Sequence, residues 1–180
     1  LEVDPTVDVS TDFAYEGAQS AVVANRGNQG DGIGFNVIDT LLPGLTYDLT
    51  AWVRFAPEQP AGDIWITLQA DTAFQTIAQN TGLSNGEFRQ VSATITMPPN
   101  ELSTGLLYFE TAYVAPPATG NTSTFYIDAI EVVQAEQLVV ADLEPIKDTL
   151  DFPVGVAIDS RETGGAQAGT VTRHFEQVTA

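Results

Sequence analysis

Tyr108 and Glu110 are the residues whose types and spacing best suit binding chemistry. Residues 106–111 alternate, so that Leu107 and Phe109 lie on one side of a predicted strand and Tyr108 and Glu110 on the other. An aromatic ring can cover the apolar C–H face of a pyranose, and a carboxylate offers acceptors to its hydroxyls. The stretch therefore predicts part of a sugar-binding groove.

Trp52 and Arg54 occupy the non-core face of another predicted strand. Together with Tyr108 and Glu110 they would form a shallow groove of aromatic and charged groups, the kind of surface that fixes a sugar chain. The alternative is structural: Trp52 and Tyr108 fill the inner layer of a second sheet, or are isolated surface aromatics. The alternation alone leaves both interpretations open.

Several other chemistries lack the residues they need. The chain contains no Cys, which excludes disulfide frameworks, thiol catalysis and thiolate metal sites. Its single His, His174, lies beside the apolar stripe of a predicted helix, where packing or surface exposure is the expected role. No Ser lies in a recognisable nucleophile elbow, so a nucleophilic triad has no support.

The charge of the chain restricts its partners. Its 180 residues include 24 acidic and 6 basic side chains, for a net charge of −18. Such a chain would be repelled by nucleic acid or by an anionic membrane, whereas a neutral polymer suits it. No stretch approaches the roughly 20 apolar residues of a membrane helix. We therefore expect neither a nucleic-acid nor a membrane partner.

The first 134 residues carry the period-2 pattern of half-buried strands. Turn-forming Pro, Gly and Asn clusters separate the runs, and no amphipathic helix is predicted before residue 135. The predicted strands are residues 20–24, 33–38, 46–55, 63–70, 88–96, 106–111 and 124–133. This part is predicted to be all-β, an antiparallel sandwich or barrel.

The pattern changes after residue 134. Residues 135–142 are a plausible linker, and the apolar run 152–158 is typical of a parallel strand buried on both faces. A Gly-rich loop at 164–169 precedes a helix predicted over 167–179. Strand, loop and helix would open an α/β domain. Because the chain starts at Leu1 and stops after one such unit, we expect a piece of a longer protein.

An ordered set of short motifs resembles the family 22 carbohydrate-binding modules, xylan-binding β-sandwiches found beside xylanases. The match covers roughly residues 8–134. The motifs are Asn-Arg at 25–26, Asp-Gly at 31–32, Leu-Pro-Gly-Leu-Thr-Tyr at 42–47, Ala-Trp-Val-Arg at 51–54, Leu-Tyr-Phe-Glu at 107–110 and Phe-Tyr-Ile-Asp at 125–128. The resemblance implies a jelly-roll β-sandwich whose concave face binds xylan or a related β-glucan.

The resemblance also implies roles for particular residues. Arg26 matches the ligand-binding arginine of the family, Trp52 and Tyr108 match its stacking aromatics, and Glu110 matches its hydroxyl-bonding carboxylate. Phe74 stands where the family usually has a tyrosine, which would keep the ring and lose one hydroxyl. Arg54 is expected to be a neighbour of this set.

Two departures from the family pattern bear on the site. The family often has a Trp four residues after the arginine, where this chain has Gly30. The usual N-terminal strand is also expected to be missing or truncated, since few residues precede the match. Such modules commonly hold a structural Ca²⁺ through that region and the acidic residue after Tyr-Ile. Asp128 is the candidate ligand here, although Ca²⁺ needs six to eight oxygens and a solvated turn is the simpler explanation.

The last part of the chain resembles the opening of the family 10 glycoside hydrolases, (β/α)₈ xylanases. The resemblance covers about residues 143–180, through Leu-Glu-Pro-Ile-Lys-Asp at 143–148, Phe-Pro-Val-Gly-Val-Ala at 152–157 and the basic-aromatic run at 173–180. The two glutamates of these retaining enzymes would lie downstream, so this chain lacks them.

The sequence therefore predicts residues 1–134 as a carbohydrate-binding β-sandwich, 135–142 as a linker and 143–180 as an incomplete barrel. The resemblance implies a secreted protein that keeps an attached endo-1,4-β-xylanase barrel near its polymer. Two alternatives stay open. The sandwich could stabilise or space the barrel without binding sugar, or the chain could be a fragment of the active xylanase itself.

Overall fold

The structure is a computed structural model that describes residues 5–135, 144–158 and 165–179. The chain divides into two compact units, Leu1–Gln137 and Leu138–Ala180. The predicted linker, from residue 136 onward, lies outside the described residues.

The first unit is an antiparallel β-sandwich, as predicted. Its strands are β1 Thr6–Ser10, β2 Ser20–Ala24, β3 Ile33–Asn36, β4 Thr46–Phe55, β5 Gly62–Ala70, β6 Ala73–Leu83, β7 Arg89–Thr96, β8 Gly105–Thr111 and β9 Phe125–Gln134. Sheet A has the order β1-β2-β9-β4-β7, and sheet B has the order β3-β8-β5-β6. Within residues 5–135 no helix is present.

The core lies between the two sheets and is built by the alternation of the strands. On β4 the inward positions are Tyr47, Leu49, Ala51, Val53 and Phe55, all buried. Sheet B faces them with its own buried alternate residues, among them Ile64, Ile66, Leu107 and Phe109. The predicted placement of Leu107 and Phe109 together on one side of their strand is therefore confirmed, and that side faces the core. Because side chains alternate along a strand, their neighbours Tyr108 and Glu110 lie on the outer face.

Two edge strands were not anticipated. β6 is mostly polar and exposed, so it lacks the alternation that marks a half-buried strand, and it continues to Leu83 through residues expected to form a turn. β1 pairs with β2 from Thr6 to Ser10. A strand is therefore present over these five residues, where the N-terminal strand is expected to be missing or truncated.

The second unit contains a strand, a helix and a second strand. A 3₁₀ turn at Ile146–Asp148 precedes β10 Gly155–Ala157, α1 Gly165–His174 and β11 Gln177–Thr179, and β10 pairs with β11 in parallel. The predicted helix over 167–179 ends at His174, because the segment after it bonds to β10 as a strand. The expected Gly-rich loop is helical from Gly165. In the described ranges no helix is long and apolar enough to cross a membrane.

Candidate functional site

The outer face of sheet B gathers aromatic and polar side chains from three strands. In the register of β5 and β8, Trp65 lies opposite Glu110, Thr67 opposite Tyr108, and Gln69 opposite Leu106. On the other side of β5, Gln69 pairs with Phe74 of β6. Residues directly opposite each other share a face of the sheet. We call this surface the sheet B face; it comprises Trp65, Thr67, Gln69, Phe74, Leu106, Tyr108 and Glu110.

Tyr108 is held in place at the centre of the sheet B face. A Cβ on Gly34 of β3 would lie 3.1 Å from Cδ1 and Cε1 of Tyr108, so the ring packs directly against the glycine backbone. The Tyr108 hydroxyl donates to Gln69 Oε1 at 2.8 Å, and Gln69 Nε2 donates to the Asp71 carbonyl at 2.9 Å. The ring is thus positioned before any ligand arrives.

Glu110 has one oxygen bound within the protein and one available. The Thr67 hydroxyl donates to Oε1 at 2.6 Å, whereas no described residue donates to Oε2. Burial raises the pKa of Glu110 above its ordinary value; the Thr67 hydrogen bond and the charge of Arg26 act in the opposite direction. A half-buried carboxylate with a free oxygen is a strong acceptor for a hydroxyl.

Arg26 is buried and supports the site from behind. All five of its N–H donors have protein acceptors: the carbonyls of Gln29, Asp31, Asn121 and Ser123, and the hydroxyl of Thr111. Burial lowers its pKa to about 10, although Asp31 and Glu110 act to raise it. The side chain therefore stays charged at neutral pH, and it fixes the loops beside Glu110 rather than leaving a donor for a ligand.

Trp52 and Arg54 lie on β4, which belongs to sheet A. The expectation that they share one groove with Tyr108 is therefore wrong, because the two sheets turn their outer faces in opposite directions. Tyr15 stacks on Trp52 with ring centroids 3.8 Å apart. Arg54 is buried, with its guanidinium 3.8 Å from the centroid of the Phe13 ring and a hydrogen bond to the Asn85 carbonyl.

Phe74 does join the sheet B face. It lies on β6 opposite Gln69, and 67% of it is exposed. The structure thus brings together Phe74, Tyr108 and Glu110 of the expected set. It places Arg26 behind Glu110 and moves Trp52 and Arg54 to the other sheet.

Asp128, the expected calcium ligand, already has three backbone donors. Its Oδ2 accepts from the amides of Tyr15 and Glu16, and its Oδ1 accepts from the amide of Ala129. In the described residues no group of three or more acidic or His side chains gathers to hold a metal. Residues 1–4, in the N-terminal region where the family's other ligands are expected, lie outside the described ranges.

Trp65 is an aromatic residue of this face that the sequence pattern does not assign to the site. It alternates with Ile64 and Ile66, which are fully buried, so the signal that it points outward was present in the pattern. Its neighbour across the strands, Glu110, had been assigned to the site. Only the register of β5 against β8 joins the two.

Comparison with known protein families identifies the family of the chain. The sequence profile described as a carbohydrate binding domain matches residues 3–121. Because this is more than half of the sequence, the chain belongs to that family of carbohydrate binding domains.

The solved structures show the same fold. The CBM22-2 xylan-binding domain of Paenibacillus barcinonensis Xyn10C has a TM-score of 0.65 at 21% identity, over 73% of this chain and 88% of that one. The CBM22-1–GH10 modules of Clostridium thermocellum Xyn10B, complexed with xylohexaose, have a TM-score of 0.62 at 17% identity, over 97% of this chain and 34% of that one. The fold is thus like that of family 22 modules.

A curated relative links the chain to a larger protein. Endo-1,4-beta-xylanase A of Thermoanaerobacterium saccharolyticum is 24% identical over 180 residues, which cover 93% of this chain and 15% of the relative. The chain therefore spans about a seventh of the length of the curated relative that it matches.

Proposed function

We propose that the first unit is a family 22 module that binds xylan, or a related β-linked polysaccharide, on the sheet B face. The observation that carries the proposal is the pairing of a positioned Tyr108 ring with the free Oε2 of Glu110. The ring would stack on the C–H face of one sugar while Oε2 accepts from a hydroxyl. The relatives named as xylan-binding domains and xylanase support the choice of polymer.

The charge of the chain is consistent with this ligand. A neutral polysaccharide avoids the repulsion that a net charge of −18 would impose on an anionic partner. Phe74 would add exposed ring surface beyond Gln69.

Retention on soluble xylan tests the proposal. In affinity electrophoresis we expect wild-type protein to be retarded, and Tyr108→Ala to lose affinity by about tenfold or more, equivalent to about 1.4 kcal/mol. Trp52→Ala is the matched control, since Trp52 lies on sheet A, and its retention should be unchanged. Unretarded wild-type protein would overturn the proposal and favour a sandwich that only stabilises or spaces its neighbour.

We also propose that the second unit is the start of a (β/α)₈ xylanase barrel in a secreted protein. The first unit would hold this barrel near its substrate. The elements β10, α1 and β11 support this, because they form a strand–helix–strand unit whose two strands are parallel. Parallel strands are normally buried on both faces. Here Phe152 and Val178 are 63% and 53% exposed, so this unit has apolar surface for further elements to cover.

A further inference from the structure

The two tryptophans of the chain have different surroundings. Trp52 lies on sheet A with the Tyr15 ring stacked on it. Trp65 is half-buried on the sheet B face, opposite Glu110 of β8 and Gln79 of β6. Among the described residues no aromatic ring packs against Trp65. Trp65 therefore brings an indole that no described aromatic ring covers, at the position opposite Glu110.

Gly30 lies close to the same carboxylate. A Cβ placed on Gly30 would lie 3.7 Å from Glu110 Oε2 and 3.2 Å from Asn28 Oδ1. A larger residue at this position would start its side chain beside Oε2. In the register of the described strands, the aromatic residue directly opposite Glu110 is Trp65.

Trp65 and Tyr108 lie close enough on the sheet B face to contact one ligand together. Tyr108 lies opposite Thr67, two positions along β5 from Trp65, so Trp65 and Tyr108 are diagonal neighbours. Diagonal neighbours in a sheet are about 7–8 Å apart. Between them lie the Thr67 hydroxyl and Glu110, which are joined by a hydrogen bond.

We propose that Trp65 is a second stacking platform of the sheet B face and makes the site specific for a chain of several β-linked pyranoses. This inference rests on the proposed function. One ring of the ligand stacks on Tyr108 and a further ring stacks on Trp65, while Glu110 Oε2 accepts a hydroxyl between them.

Fluorescence distinguishes the two tryptophans, because the chain has no others. Trp52→Phe leaves Trp65 as the sole indole, and titration with xylohexaose should shift or quench its emission as in the wild type. Trp65→Phe leaves Trp52, whose emission should not respond. A response that persists in Trp65→Phe and vanishes in Trp52→Phe would overturn the inference.

Affinity gives the second measurement. Calorimetric titration should show that Trp65→Ala weakens xylohexaose binding about tenfold, and Trp65→Phe less, since a smaller ring remains. Thermal melts of both variants check that they are folded. If wild type binds and Tyr108→Ala does not, but Trp65→Ala binds like wild type, the inference fails and the proposed function stands. If wild-type protein does not bind, both fail.

Discussion

At the scale of single residues, Glu110 combines binding chemistry with a perturbed ionisation. Its carboxyl is half-buried, and this burial raises its pKa above the ordinary value for a glutamate. Thr67 holds one oxygen, so that the other is directed to the ligand without being neutralised by a protein donor. A hydroxyl donated by a sugar would stabilise the ionised form. Binding and ionisation of Glu110 are therefore coupled.

This coupling predicts the pH dependence of binding. The ionised carboxylate is the better acceptor, so affinity for xylohexaose should be highest above the pKa of Glu110 and fall as pH is lowered through it. Because that pKa is raised, the fall should begin at a less acidic pH than for an exposed glutamate. Calorimetric titrations between about pH 7 and about pH 4 measure it.

Glu110→Gln is the control for this dependence. It keeps the shape and an acceptor oxygen but cannot ionise, so its affinity should be lower at neutral pH and nearly constant over the same range. Wild-type affinity that stays constant on acidification would contradict the assignment of Glu110.

At the scale of elements, Arg26 joins loops that are distant in sequence. From its place after β2 it bonds the loop that leads into β3, the loop that precedes β9, and Thr111 at the end of β8. Among the described hydrogen bonds, Arg26 is the only donor to the carbonyls of Asp31 and Ser123, whereas those of Gln29 and Asn121 also accept from Thr111. The planar fork of five donors suits this arrangement, and the three donors of a lysine do not.

Substitution of Arg26 should therefore reduce stability as well as binding. Arg26→Ala would leave the carbonyls of Asp31 and Ser123 unpaired at about 1–3 kcal/mol each, and we expect a loss of about 3 kcal/mol or more in the free energy of unfolding. Arg26→Lys should rescue little of it. Arg89→Ala, which removes an exposed arginine paired with Glu87, is the matched control and should change stability by less than about 1 kcal/mol. Urea unfolding of the three variants decides; equal stabilities would contradict the supporting role.

At the scale of the whole molecule, the buried core belongs entirely to the first unit. Every member of the described core cluster lies between Val23 and Ile127. In the second unit, no hydrophobic side chain is buried at residues 144–158 and 169–179, where burial is described. The binding face and the core that supports it thus share one unit, Leu1–Gln137.

This division predicts the behaviour of a shortened protein. A chain ending at Gln137 should unfold cooperatively and be retained on xylan as strongly as the full chain, since it keeps the core and the sheet B face. Neither chain should release reducing sugar from xylan, because the acid/base and nucleophile glutamates of a retaining glycosidase are not expected in them. Reducing-sugar release by the full chain would contradict the assignment as a binding module.

Much of the sandwich could be predicted because alternation is a local property. The inward set of β4 and the outward positions of Tyr108 and Glu110 follow directly from it. The edge strand β6 could not be predicted in this way. Its residues are mostly exposed, so no apolar period marks it, and it takes its place in the sheet by pairing with β5, with Leu83 buried in the core.

The sequence by itself determined which side chains point away from the core. By this criterion Trp52 and Trp65 are equivalent. The tertiary structure decided which sheet each belongs to. β4 pairs with β7 and β9 and carries Trp52 to sheet A, whereas β5 pairs with β6 and β8 and sets Trp65 beside Glu110. Strand pairing joins residues far apart in the chain through backbone hydrogen bonds, and these leave no period in the sequence. For this reason the sequence predicts the types of residue in the site, whereas only the tertiary structure shows which of them lie on one face.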